Sequence, residues 1–216
     1  MWTRFWKKFT ASRFKRGKDD LHLVWILNEK GASELNLVRP FTLAITHGLM
    51  IPNFSIRPAS ENDISLILRF IKALAEYEKL PHEVTATEEL LRRNLFTGRT
   101  TAEVLLASEG EEYVGFAVFF NNFSTFVGKP GIYLEDVFVR PEFRGRGYGK
   151  ALMIQVARLA KERDCGRFEY SVLDWNKPSL DFYRSLGAVA MEEWTVQRMS
   201  SEAITALALQ KLPGEQ

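Results

Sequence analysis

From Phe54 onward the spacing of apolar and polar residues changes period segment by segment, and each change predicts an element. Phe54-Ser55-Ile56-Arg57 alternates every second residue, as a short strand does. Ser60-Glu61-Asn62-Asp63 resembles a capping box with aspartate in the third helical position. Ile64, Ile67, Leu68, Ile71, Leu74 and Ala75 then recur at helical period, and the helix stops before Pro81. Thr87-Glu88-Glu89 opens a shorter helix containing Leu90, Leu91 and Leu95. Residues 102–108 and 113–121 read as a hairpin around Glu109-Gly110-Glu111, and 132–139 as a buried strand. Pro141-Glu142-Phe143 and a glycine-rich turn lead into a helix to about residue 163, with Leu152, Val156 and Leu159 as its buried stripe. A strand over 167–172 follows. Asn176-Lys177-Pro178 starts a helix through Tyr183 that stops at Gly187, a natural left-handed end. Residues 193–199 predict a last strand and 203–209 a tail helix. This order is α+β: a mixed central sheet, antiparallel at first with one parallel crossover, flanked by helices.

Residues 1–49 follow a different pattern. Trp2, Phe5, Trp6 and Phe9 fall at helical spacing with Arg4, Lys7 and Lys8 between them. Over residues 1–18 this suits an interfacial amphipathic helix or a targeting segment, or a stretch without function. Nine basic residues face four acidic ones in 1–49, which leaves the remainder slightly acidic. Met50 stands just before the regular pattern begins. The expectation is a basic extension over 1–49, dispensable or not translated, and a compact domain over 50–210.

Composition narrows the chemistry. A chain of 216 residues, 46% hydrophobic and 26% charged, has enough apolar surface for one ordinary domain with an appendage. No apolar stretch approaches the ~20 residues of a membrane-spanning helix, so membrane contact is expected nowhere except through 1–18. The single cysteine, Cys165, excludes an internal disulfide and a multi-thiolate metal site. It suits a reducing compartment, hence a cytoplasmic protein, and reads as a small packing residue. Three scattered histidines give no metal-binding pair, so no catalytic metal is expected. The acidic domain argues against nucleic acid and favours a small cationic substrate.

The chemistry concentrates in Arg144-Gly145-Arg146-Gly147-Tyr148-Gly149, between a strand and a helix. Three glycines at alternate positions leave backbone N–H groups bare, and the positive end of a helix dipole adds to them. Such a turn is either an anion cradle for a phosphate-bearing ligand, with Arg144 and Arg146 adding charge, or a helix entrance in which the glycines only turn the chain. It is not a nucleotide-triphosphate loop, because Ala151 follows Gly149-Lys150 and Arg144 stands where the first glycine belongs. A dinucleotide site, with Glu169 near the ribose-binding position, remains an alternative. Its third glycine comes one residue early, and the preceding strands look antiparallel.

The run from Val137 to Gly149 resembles the acetyl-CoA motif of the GNAT superfamily of N-acetyltransferases. Further blocks resemble the diamine (spermidine/spermine) N-acetyltransferases: Ile56-Arg57-Pro58-Ala59, Leu74-Ala75-Glu76-Tyr77-Glu78, Tyr133-Leu134-Glu135-Asp136, and Trp175-Asn176-Lys177-Pro178-Ser179-Leu180-Asp181-Phe182-Tyr183. The resemblance covers roughly residues 54–200. It implies the GNAT fold, a homodimer, and acetyl transfer from acetyl-CoA to a primary amine of a small cationic acceptor, a diamine, polyamine or related amino acid, by direct attack in a ternary complex. The alternative is a CoA-binding regulatory or interaction module without turnover.

The resemblance also implies roles. Val137, Phe138 and Val139 hold the pantetheine arm through their backbone, and the Val137 N–H polarises the acetyl oxygen. Arg144, Gly145, Arg146, Gly147, Tyr148, Gly149 and Lys150 grip the diphosphate, with Asn176, Ser179 and Tyr183 also meeting the cosubstrate. Tyr183 is the general acid for the departing thiolate. Glu135, on the strand bordering the cosubstrate, is the base, acting through an ordered water. Tyr77, Glu78, Glu135, Asp136, Glu192 and Glu193 line the acceptor site. Glu192-Glu193-Trp194 departs from the diamine pattern, which carries a residue between the acidic pair and the tryptophan, so the resemblance does not fix the distal end of the acceptor pocket or the choice among polyamine, thialysine-like amino acid and other amines.

Overall fold

Five strands, β3 (Phe54–Pro58), β4 (Glu103–Glu109), β5 (Glu112–Ser124), β6 (Lys129–Val139) and β7 (Arg167–Tyr170), form one sheet in sequential order in the computed structural model. The structure describes residues 53–214 and, before them, the backbone of two antiparallel strands, β1 (Leu23–Leu27) and β2 (Ser33–Leu37). The amphipathic pattern of 1–18 and the expected boundary at residue 49 lie outside the described residues. A β1–β2 hairpin was not among the expectations for the extension. The chain divides into two compact units, Met1–Ser171 and Val172–Gln216.

Strands β3 to β6 pair antiparallel, and β7 runs parallel to β6. This is the mixed α+β sheet expected from the element order. The parallel pair needs a crossover, supplied by α3 (Tyr148–Glu162). One face of the sheet packs on α1 (Ile64–Tyr77), where Ile67 and Phe70 meet Val104, Leu106, Phe116, Val118 and Phe138. Leu152, Met153, Val156 and Ala160 are the buried stripe of α3, with Leu159 only half-buried at its edge.

A part-buried ion pair fastens α1 to the sheet. Arg57 on β3 donates to both Asp63 oxygens, at 2.8 and 2.7 Å, and also to the Tyr113 hydroxyl. The Ser60 amide and hydroxyl donate to the same carboxylate at 2.7 and 2.8 Å, completing the capping box read from the sequence. The Arg57 guanidinium holds the Asp63 carboxyl well below the usual range. A short helix, α2 (Glu88–Leu95), follows, with the Thr87 hydroxyl accepting from the Leu90 amide.

The second unit holds α4 (Lys177–Ser185) and α5 (Ser201–Ala208). Gly187, at φ 94°, ends α4 as expected. The strand expected over 193–199 is absent: these residues are exposed coil and pair with no strand among the described residues. Alternation of apolar residues marks a segment able to form a strand, but the ladder itself needs a neighbour with free backbone groups. β7 is also two residues shorter than expected, because its register with β6 stops at Leu134.

Candidate active site

The site is built on β6, whose chain is interrupted at one residue. Phe119 faces Leu134 and Val118 faces Asp136, so Glu135 has no partner on β5 and forms a bulge. The bulge reverses the pleat. Leu134 lies opposite Phe119, on the α3 side, whereas Asp136 lies opposite Val118, on the α1 side with Phe138. A regular strand would have placed Leu134 and Asp136 on one face.

Past the bulge, β6 runs on without β7. The parallel pairs end at Leu134 with Tyr170, and no described strand borders Glu135–Val139 on that edge. By the alternation of an antiparallel ladder, in which Arg140 donates to the Val114 carbonyl, the outward backbone groups on this edge are those of Val137 and Val139, leading to the glycine turn, while those of Phe138 face β5. The Phe138 side chain is buried in the core and its backbone faces β5, so of the three residues expected to hold the pantetheine arm only Val137 and Val139 turn backbone groups to the open edge.

At the turn, Gly145 and Gly147 take φ 78° and 89°, a region costly for residues with a Cβ. Gly147 is the N-cap of α3, and no side chain caps the helix. The first-turn amides of Tyr148, Gly149 and Lys150 therefore point out of the helix mouth beside two arginines. The Tyr148 ring is buried and stacked on Phe54 with centroids 4.8 Å apart, which leaves its backbone for a ligand. Arg146 pairs with Glu109 at 3.1 Å and lies over the Phe143 ring. This donor set fits a diphosphate: bare amides, two arginines and no carboxylate in the turn.

Arg144 has a contact that its place in the motif did not signal. Its Nε donates to the Val139 carbonyl at 2.9 Å, and its guanidinium lies 4.3 Å from the Tyr77 ring centre and 5.6 Å from that of Phe138. The anion-binding turn is thus tied to the end of α1, where Tyr77 and Glu78 stand. Glu78 caps the helix and is half-buried, and burial raises its carboxyl. Asp136 is half-buried too; desolvation, then the charges of Glu135 and Glu78, push it up to about 7. Glu135 itself is exposed.

The first unit therefore brings together Tyr77, Glu78, Glu135, Asp136, Val137–Val139 and the turn Arg144–Lys150. The remaining expected residues belong to the second unit. Asn176 is buried, and its side chain accepts from the Ser179 amide at 3.3 Å, the N-cap of α4. Tyr183 is half-buried on α4, its ring tilted against Phe182 at 5.4 Å. Glu192 and Glu193 are exposed in a turn. No cluster of three or more metal-ligating side chains occurs among the described residues.

The sequence profile described as the Acetyltransferase (GNAT) family matches residues 69–188, more than half of the chain and the whole of β6, the turn and α4. The chain belongs to the GNAT acetyltransferase family. It is an N-acetyltransferase, and the relatives it is similar to act on amines. One is a thialysine N-epsilon-acetyltransferase of Sus scrofa, 42% identical over 164 residues, covering 71% of this chain and 96% of that one. Another is an L-ornithine N5-acetyltransferase of Arabidopsis thaliana, 29% identical over 197 residues, covering 70% and 86%. A solved integron cassette protein of V. cholerae shares the fold at a TM-score of 0.62 and 24% identity, covering 73% of this chain and 99% of its own.

Proposed function

We propose that this GNAT enzyme takes the acetyl group of acetyl-CoA and transfers it directly to a primary amine of a small cationic acceptor, both substrates being bound at once. One juxtaposition carries the reading: on β6, the exposed Glu135 and half-buried Asp136 carboxylates adjoin an open backbone edge that runs into an uncapped helix mouth. The turn and the first amides of α3 would hold the diphosphate, and the edge Val137–Val139 the pantetheine arm. Acetyl-CoA supplies an acyl group activated as a thioester.

The protein must supply the rest. An alkyl amine with a pKa of about 10 is neutral in only about one part in a thousand at pH 7, so a bound ammonium has to lose a proton before it attacks. The carboxylates Glu78, Glu135 and Asp136 attract the cation. The Val137 amide donates to the acetyl oxygen as charge develops there. The nitrogen lone pair forms the C–N bond, the C–S bond breaks, and Tyr183 protonates the sulfur.

Acceptors with a side-chain amine on an amino acid, of the thialysine and ornithine type, come first by similarity to the named relatives, and diamines and polyamines second. A pocket with several carboxylates suits all of them. We take the working unit to be a homodimer in a reducing, cytoplasmic setting; no helix among the described residues is long and apolar enough to cross a membrane. Thiol release from acetyl-CoA, followed across thialysine, ornithine, lysine, putrescine, spermidine and spermine, tests the reading. Acceptor-dependent release is expected. Binding of CoA with no release for any amine would make the chain a CoA-binding module instead.

A further inference from the structure

We propose that Asp136, rather than its neighbour Glu135, takes the proton from the acceptor ammonium, and that Glu78 and Glu135 are the flanking charges that fit it for that task. The inference rests on the amine-acetylation reading above and names the base within it.

The bulge is the starting point. Glu135 is the one residue of β6 left over between two registered pairs, and its side chain is exposed. Asp136 is placed by the same bulge on the opposite course. It joins the face of the sheet that α1 covers, in line with Phe138 and opposite Val118. There it is half-buried, at the end of α1 and beside the open edge of Val137–Val139 along which the thioester would lie.

Its surroundings favour proton uptake. Glu78 at the C-terminus of α1 and Glu135 on its own strand are both negative, and burial disfavours its own charge, so its carboxyl is pushed up to about 7. From α1 comes Tyr77, and from the turn Arg144, whose guanidinium is engaged by the Tyr77 and Phe138 rings and the Val139 carbonyl. β5 sets uncharged Val118 against it, and β7 ends at Tyr170, level with Leu134. A base with a pKa near the working pH combines a large deprotonated fraction with useful proton affinity. The step balances: the ammonium gives one proton to the Asp136 carboxylate, the freed nitrogen bonds the acetyl carbon as the C–S bond breaks, the second nitrogen proton replaces the one that Tyr183 gives to the sulfur, and the proton on Asp136 leaves to solvent after the amide departs.

Two measurements separate this from its rivals. The first is the pH profile of kcat/KM, which reports groups of the free enzyme. Wild type should rise through a limb near neutral pH. Asp136→Asn should abolish that limb and lower kcat/KM by about 100-fold or more. Glu78→Gln and Glu135→Gln should keep the limb and move it to lower pH, because removing a negative neighbour makes Asp136 a stronger acid. Loss of the limb in Glu135→Gln with its survival in Asp136→Asn would overturn the proposal. So would a raised KM in Asp136→Asn with kcat and the limb intact, which would make Asp136 a binding group. The second measurement needs no turnover: carbon-13 NMR of the side-chain carboxyls in wild type, assigned with Asp136→Asn. A midpoint near neutral that falls in Glu78→Gln is expected, and titration of Asp136 in the ordinary carboxylate range overturns the proposal. Absence of acetylation with every amine would instead sink the activity on which it rests, while leaving the NMR result to judge the carboxyl.

Discussion

The two units of the chain carry their functional groups in different ways. In the first, the candidate groups are set by regular backbone: the bulge fixes Glu135 and Asp136, the sheet edge fixes Val137–Val139, the end of α1 carries Tyr77 and Glu78, and left-handed glycines fix the helix mouth. In the second, Asn176 and Tyr183 sit on a capped helix, but the residues beyond it are exposed coil. Trp194 and Val196 are 71% and 75% exposed, and Glu192 and Glu193 lie in the same stretch. Precision at a reacting centre comes from rigid elements, whereas exposed acids act chiefly through charge that water screens. Under the proposed mechanism, the contrast predicts steep effects of substitution on β6, the turn and α4, and mild ones at Glu192 and Glu193.

Substitutions should reproduce that gradient. The largest effect after Asp136→Asn is expected for Tyr183→Phe. Turnover should fall by about 100-fold or more, the usual worth of a positioned proton donor, with CoA affinity nearly intact in calorimetry. Unchanged turnover would remove Tyr183 from the chemistry. Next comes Gly147→Ala. A Cβ at φ 89° costs about 1–2 kcal/mol of stability and crowds the cradle, so CoA should bind about tenfold more weakly while Tyr183 chemistry persists at saturation.

Asp63→Ala tests the scaffold instead of the site. It should lower unfolding stability by about 2 kcal/mol, less than a fully buried pair would lose, because the Arg57 side chain is 41% exposed. The sign of the pH dependence follows from the depressed carboxyl. The stabilisation is present above the unfolded-state value of about 3.9 and is lost as pH falls toward the folded value. Acid titration of wild type and variant should therefore converge below that range. The smallest effect belongs to Glu193→Gln. Loss of one solvated charge should change the acceptor KM by less than about fivefold, on the order of 1 kcal/mol. A larger change would show that the exposed arm closes on the acceptor and would erase the distinction between the units.

Much of this was legible in the residues. The capping box at Ser60–Asp63, the Thr87 cap, the stop at Gly187 and the glycine turn are local signals, decided by neighbours within a few positions, and the structure has each of them. The strand over 193–199 was misread because its apolar alternation is local while its partner is not. The bulge at Glu135 escaped for a related reason: register belongs to a pair of strands, and one strand cannot reveal which of its residues goes unmatched. The two acids inside the apolar run 132–139 were its only trace. The grip of Arg144 on Tyr77 joins positions 67 residues apart in the chain, beyond the reach of any periodicity.

Hydrogen exchange read residue by residue, with and without CoA, examines the central claim most directly. Saturating CoA should slow exchange at the amides of Val137 and Val139 and across Gly145–Gly149, and leave residues 193–199 unaltered. Slowing confined to other segments, with β6 and the turn unaffected, would contradict the account.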